Sequence, residues 1–564
     1  MKDSIISILK PFVPDGTPVD VSVPEQGSFG HYSTNVAMRL ANAEKKAPLV
    51  VADDLAGKIM KSAPADFFEK VEAVAPGFVN FWLSKKTIQE ELQKASRNEH
   101  YGASETMRGK TVMVEFTDPN PFKLLHIGHL MSNTIGESIS RLYETSGANV
   151  IRANYQGDVG LHVAKAIWGM EQTSKENMPG EEDSLAAKME FLGKAYALGS
   201  SAYENQPETK AAIIEINEKI YARSDSRINE LYDAGRAWSL AYFETVYKRL
   251  GTKFNHYFFE SEAGKDGLEV VHSHLEIFKE SDGAIVFQGE QYGLHTRVFI
   301  NSKGLPTYEA KELGLAKIKY GIYPYTNSIV ITGNEVDDYF KVLLEVMEQV
   351  FPDLAEKTKH ISHGMLRLPS GKMSSRTGDV ITAEYLLELV SKKVVEKIKE
   401  TNRGSMSEDF VNQVVVSALK YSILKNTIGG DIIFDFDKSI SFEGDSGPYL
   451  QYSYARAKSI LEKAKNENID LATEPPSDWK TTEVEKMLYR FPEIVLRSAQ
   501  EFAPHYIPNY LIELARAYNS FYGNTQIIDK NDPTSSYKVA LTEAFSIVIK
   551  NGLKLLGIEA PEKM

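Results

Sequence analysis

Between residues 111 and 160 the spacing of apolar positions changes twice. Thr111-Val112-Met113-Val114-Glu115-Phe116 is a short β-branched run that reads as a strand, and Thr117-Asp118-Pro119-Asn120-Pro121 is a turn by composition. From about 128 to 146 the apolar positions recur at helical spacing. Residues 150–155 form a second strand, which ends in Gln156-Gly157-Asp158-Val159-Gly160. Strand, loop, helix and strand at this spacing make a βαβ unit, which predicts a parallel sheet with a right-handed crossover. Residues from about 162 to 250 are helical in pattern and rich in Glu and Lys, as in an insertion between two halves of a sheet. Strand patterns return at 284–288, 296–300 and 328–332. Ahead of this unit, residues 1 to about 100 read as a small α/β domain. Helical spacing appears there at 34–40 and 51–61, a half-buried strand at 78–83, and a polar linker at 95–100. After residue 381 nearly everything is amphipathic helix, for example 409–422 and 447–465, and there is no internal repeat.

Composition narrows the picture. The chain has 564 residues, 42% hydrophobic and 25% charged, enough for several globular domains with their own cores. It contains no cysteine, which excludes disulfides, thiolate zinc sites and cysteine nucleophiles. No H-E-x-x-H pattern occurs, so no protein-bound zinc or other metal site is expected. The start, Met1-Lys2-Asp3-Ser4-Ile5-Ile6, lacks the layout of a signal peptide, and no apolar stretch approaches the roughly 20 residues of a membrane helix. A cytoplasmic protein with no membrane partner is expected. A net charge of −13 argues against nonspecific coating of nucleic acid. An RNA partner stays open, because a local basic surface is what binds phosphate.

Two segments carry candidate chemistry. His126-Ile127-Gly128-His129 falls where the first helix of the βαβ unit begins, beyond the carboxyl end of a strand. Helix-start N–H groups favour phosphate there, two imidazoles at i and i+3 can donate to it, and Gly128 lets the backbone approach a flat base. Read plainly, the same residues are two capping histidines. Downstream, Lys372-Met373-Ser374-Ser375-Arg376 lies in a Gly-flanked, hydroxyl-rich basic loop able to close over a triphosphate, or in a solvated turn. In this order and straddling an insertion, the two segments resemble the HIGH and KMSKS motifs of class I aminoacyl-tRNA synthetases.

The surroundings resemble the arginyl-tRNA synthetase family over nearly the whole chain. Glu115 to Lys123 leading into His126, Asn154-Tyr155-Gln156-Gly157-Asp158, Gly304-Leu305-Pro306-Thr307-Tyr308 and Gly447-Pro448-Tyr449-Leu450-Gln451-Tyr452 carry the likeness. So do Gly30-His31-Tyr32-Ser33-Thr34-Asn35 at the front and Leu556 to Met564 at the end. The resemblance implies a multidomain α/β protein. An N-terminal domain (1–100) contacts the tRNA elbow, and a Rossmann-like parallel-sheet catalytic domain (101–385) carries an insertion at about 162–295. A C-terminal all-α helical bundle (386–564) binds the anticodon. ATP is implied as substrate with its Mg2+, and L-arginine and arginine tRNA as the other partners, with the protein expected to be a monomer.

The resemblance also distributes roles. ATP falls to His126, Gly128, His129, Lys372, Met373, Ser374, Ser375 and Arg376. Glu115 and Asn120 hold the backbone end of arginine, and Tyr308 and Glu312 line its guanidinium side, which needs planar carboxylate or amide acceptors. Asn35, Tyr452 and Arg456 face tRNA, with Lys458, Lys463 and Lys465 nearby. Leu511, Leu514, Tyr518 and Phe521 form a helix stripe of the kind that is usually core. Three positions depart from the family pattern. Ser375 stands where the second lysine of KMSKS would be, and Lys123 or Arg376 can supply that cation. Glu312 replaces an aspartate, and Val336 replaces a glutamine. The last two keep open a class I synthetase of altered amino-acid specificity. A catalytically silent tRNA-binding paralogue is the other alternative, and retention of both histidines, Gly128, Lys123 and Lys372 counts against it.

Overall fold

The computed structural model of the protein describes residues 1–174, 177–368, 381–401 and 405–564. Four short strands open the chain: β1 (Val21–Ser22), β2 (Tyr32–Thr34), β3 (Phe68–Val74) and β4 (Phe78–Leu83), an antiparallel sheet in the order β1-β2-β4-β3. The helices Val36–Glu44 and Pro48–Ser62 cover it, the second burying Val51, Leu55 and Ile59 at helical spacing in a core with Val79 and Phe81. The helix expected from residue 34 starts later, because Tyr32–Thr34 pairs with β4 instead. The stretch read as a linker, 95–100, begins inside the helix Lys85–Arg97, where Ala95 is buried.

The central sheet is built from β5 (Thr111–Glu115), β6 (Asn149–Gln156) and β7 (His256–Phe259) with β11 (Asn327–Gly333) and β12 (Thr358–His363). All five are parallel, in the order β12-β11-β5-β6-β7. The expected βαβ unit is β5, the helix Ile127–Thr145 and β6. The edge strands β7 and β12 have no counterpart in the sequence reading. An edge strand need not be apolar, and β12 reads Thr-Lys-His-Ile-Ser-His. The strand patterns at 284–288 and 296–300 go elsewhere. There β8 (Lys279–Ser281), β9 (Ala284–Phe287) and β10 (Arg297–Ile300) form a separate antiparallel sheet. A short pair, β13 (Leu366–Arg367) and β14 (Ile432–Ile433), lies at the junction with the C-terminal helices.

Chain order reverses between β5 and β11, so their carboxyl ends, Glu115 and Gly333, flank the crevice in which parallel sheets bind ligands. The helix Ile127–Thr145 starts in that crevice and buries 13 of its 19 residues. A helix buried on nearly every face must be covered on both sides. Here the sheet lies on one side and the C-terminal helices on the other, with Ile139, Leu142, Phe545 and Leu553 in one continuous core. Ser138 Oγ donates to Leu555 O and Arg141 to Lys554 O, both at 2.9 Å, satisfying carbonyls at the end of the helix Ser535–Leu555. The helices Leu161–Glu171, Leu185–Asn205, Pro207–Ala222 and Ser226–Leu250 form the insertion. Among the described residues no helix is long and apolar enough to cross a membrane.

Candidate active site

The loop leaving β5 holds three non-glycine residues in the left-handed region: Thr117 (φ 79°), Asp118 (φ 43°) and Phe122 (φ 68°). Each costs on the order of 1–3 kcal/mol and persists only where its surroundings over-determine it. Thr117 N donates to Ser132 Oγ at 2.9 Å, and that hydroxyl donates to Ile331 O at 2.9 Å. Asp118 accepts from Tyr155 N at 2.8 Å, and Phe122 N donates to Ser239 Oγ at 2.9 Å. Four elements thus hold one loop: the helix Ile127–Thr145, β11, β6 and the insertion helix Ser226–Leu250.

This loop delivers the chain to His126, which occupies the N-cap of the helix Ile127–Thr145. His126 Nδ1 accepts from Gly128 N at 3.1 Å, and His129 Nδ1 accepts from His126 N at 3.0 Å, a reciprocal capping box made of two imidazoles. The rings stack at 3.7 Å with 20° between planes. Burial lowers the pKa of His126 and drives that of His129 well down, so both rings are neutral. With Nδ1 accepting on each, the tautomer assigned by the hydrogen-bond network carries its proton on Nε2, the atom free to donate outward. The helix-start amides are already in use, Ile127 N by Ile381 O at 3.1 Å and His129 N by His126 O at 3.0 Å. The expectation that free backbone N–H groups meet phosphate therefore gives way to side-chain donors. Ala383 N also donates to Leu125 O at 2.8 Å, so the chain leaving the second motif is stapled beside the first. Lys372, Met373, Ser374, Ser375 and Arg376 lie outside the described residues.

Carboxylates stand at the carboxyl ends of β5 (Glu115) and β7 (Glu260) and on the helix Tyr308–Ile322 (Glu312). Glu115 is 1% exposed and pairs with Lys319, itself buried, at 2.9 Å. Glu260 pairs with Lys311 at 2.5 Å, also buried. Asn120 and Glu260 converge on Gly157, where an added Cβ would meet Asn120 Oδ1 at 2.2 Å and Glu260 Oε1 at 3.0 Å. Glu312, half-buried, has no cation of its own among the described ion pairs. Burial, then the Glu115 charge, pushes its pKa up to about 8. The same two causes raise Asp118. Tyr308 starts the helix Tyr308–Ile322 and is 58% exposed at the rim. Val336 ends a single turn after β11 and packs partly buried with Tyr339 against the core around Phe340.

Several groups here carried no signal in the sequence. Lys319 reaches Glu115 across 204 residues, so only the fold reveals the pair. His162 Nε2 lies 2.8 Å from Gly157 O, and burial, then the Lys123 charge, lowers its pKa to about 3. Among the described residues the buried Tyr155 hydroxyl has no hydrogen-bond partner, and it lies in a field to which Glu260 and Glu312 contribute. Far from this crevice, Asn35 sits at the N-cap of Val36–Glu44 without capping it, its Oδ1 buried and without a partner among the described residues. Arg456 bonds Asn519 and lies 4.9 Å over both Tyr452 and Tyr522. Leu511, Leu514 and Tyr518 are fully buried, so that stripe is core. Among the described residues no cluster of three or more His, Asp or Glu is arranged to hold a metal ion.

Residues 91–436 match the family model of the class I (R) tRNA synthetase catalytic domain, and residues 450–564 the DALR anticodon binding domain. Residues 1–83 match the arginyl tRNA synthetase N terminal domain. The chain is 31% identical to an arginine–tRNA ligase of Treponema denticola, covering 97% of this chain and 95% of that one. It is 31% identical to one of Streptococcus agalactiae over all of both chains. The fold matches that of the Thermus thermophilus arginyl-tRNA synthetase with a TM-score of 0.80 and 24% identity, over 100% of this chain and 99% of that one.

Proposed function

This chain belongs to the arginyl-tRNA synthetase family, and on that premise we propose how its own residues divide the work. The protein is an arginine–tRNA ligase that uses ATP, arginine and tRNA. An arginine carboxylate oxygen attacks the α-phosphorus of ATP, the bond to the β-phosphate oxygen breaks, and pyrophosphate leaves. A hydroxyl of the terminal adenosine of tRNA then attacks the arginyl carbonyl, and AMP leaves with the bond electrons.

The single observation that carries the assignment of roles is the presence in one crevice of two neutral rings whose Nδ1 atoms are used in capping, leaving Nε2–H as donors, and of Glu312, a carboxyl with no cation of its own among the described ion pairs. His126 and His129 donate to the phosphates without the desolvation cost of charged rings, while Gly128 admits the adenine. Lys123 supplies fixed positive charge from the preceding loop, with Lys372, Met373, Ser374, Ser375 and Arg376 on the triphosphate and Mg2+ accompanying ATP. Glu312 is the free planar acceptor for guanidinium, with Tyr308 at the rim and Val336 shaping the wall. Glu115, occupied by Lys319, sets the negative field, and Asn120 holds the amino-acid backbone. Asn35, Tyr452 and Arg456 face tRNA. The domain division 1–100, 101–385 and 386–564, a monomeric state and a cytoplasmic location complete the reading. Charging unfractionated tRNA with each labelled amino acid tests it. Arginine alone should be esterified, and esterification of another amino acid in its place would overturn the guanidinium assignment.

A further inference from the structure

The Lys123 amide donates to Asn120 O at 3.3 Å within its own loop, and the helical insertion fixes the residue before it and supports its side chain. Phe122, immediately before it, holds a left-handed backbone with its ring buried against Gly235, where an added Cβ would lie 2.2 Å from the Phe122 ring. One turn on, Ser239 accepts the Phe122 amide at 2.9 Å and donates its own proton to Gly235 O at 2.7 Å. Gly235 and Ser239 thus form a socket on the helix Ser226–Leu250 that fixes the direction in which Lys123 leaves the loop. The Lys123 ammonium lies 4.8 Å from the ring centroid of Tyr196, on the helix Leu185–Asn205. Among the described residues it makes no ion pair, and its charge is felt at His126, His129 and His162.

An aromatic face holds an ammonium without cancelling its charge, whereas a carboxylate would hold and neutralise it together. A cation that must meet phosphate needs the first kind of support. We propose that Tyr196 is a positioning residue for the reaction, holding the Lys123 ammonium toward the α-phosphate while the Gly235–Ser239 socket fixes its backbone. The helical insertion is then part of the phosphate-activating machinery. This inference rests on Lys123 acting as the cation that Ser375 does not provide.

The test uses full-length enzyme and arginine-dependent pyrophosphate exchange with tRNA present. Tyr196→Leu should lower kcat about tenfold, the scale of a partly desolvated cation–π contact, with KM for arginine unchanged. Tyr196→Phe keeps the ring and should retain wild-type kcat. In a Lys123→Ala background, Tyr196→Leu should add nothing further, because its effect runs through the ammonium. Unaltered melting of Tyr196→Leu accompanies these results. A Tyr196→Leu enzyme with wild-type kcat, beside an impaired Lys123→Ala enzyme, would overturn the role of Tyr196. Additive losses in the double variant would overturn it as well. Normal exchange by Lys123→Ala would instead bring down the underlying reading of Lys123.

Discussion

Arginine should drive a proton off the enzyme when it binds. Glu312 is held protonated by burial and by the Glu115 charge, with a pKa of about 8 against 4.5 for the ordinary side chain. A guanidinium arriving beside it favours the carboxylate, so binding at pH 7 must first ionise a group that is only about one-tenth ionised there. That costs about 1.4 kcal/mol, or tenfold in affinity. By pH 8.5 the group is roughly three-quarters ionised, and KM for arginine should fall about eightfold across this range. Half-burial admits some water at the pocket mouth, which makes eightfold an upper figure. In the free protein the sign is the reverse. A carboxyl whose pKa is raised on folding holds a proton that the unfolded chain has released, so its contribution to stability declines as pH climbs from about 4.5 through 8. Calorimetry of arginine binding in two buffers of different ionisation enthalpy measures the proton directly. Close to 0.9 should be released per arginine at pH 7 and about 0.25 at pH 8.5. Glu312→Gln should abolish the release, flatten the pH dependence and raise KM about 10–100-fold, the scale of a lost charge-assisted hydrogen bond. Release that is unchanged in Glu312→Gln would refute the reasoning and move the proton to Asp118, whose pKa is raised by the same causes.

Other perturbations test the supporting structure. Lys319→Met leaves Glu115 buried without its partner and should destabilise the fold by about 3–5 kcal/mol, read as a lowered denaturation midpoint. Ser132→Ala strands the Thr117 amide and the Ile331 carbonyl, at a cost of roughly 1–3 kcal/mol. Because that amide fixes the loop, exchange activity should fall with it. Gly157→Ala should leave melting nearly unchanged, since Gly157 does not hold a left-handed backbone. It should still raise KM for arginine by displacing Asn120 from 2.2 Å.

The fold was legible where pattern and chemistry coincide in one short stretch. β5, the helix from Ile127 and β6 follow from spacing alone, and His126 to His129 stand at the helix start that the spacing requires. The edge strands were not legible, since Thr358–His363 offers one aliphatic residue and borrows its regularity from β11. The site divides in the same way. Glu115, Asn120 and Glu312 are visible as residues, but the protonation of Glu312 is a property of what encloses it. The partner of Glu115 lies 204 positions away, and Lys123 gains its aromatic support from a helix about 70 residues downstream. The cap geometry was half legible: both readings of the two histidines, as caps and as phosphate donors, are compatible, because capping consumes Nδ1 and leaves Nε2.

Pyrophosphate exchange with arginine, lysine and each other amino acid, with and without tRNA, bears most directly on the claim that this crevice activates arginine. Exchange is expected with arginine alone, and only with tRNA present. Exchange supported by a different amino acid, or none under any condition, would contradict it.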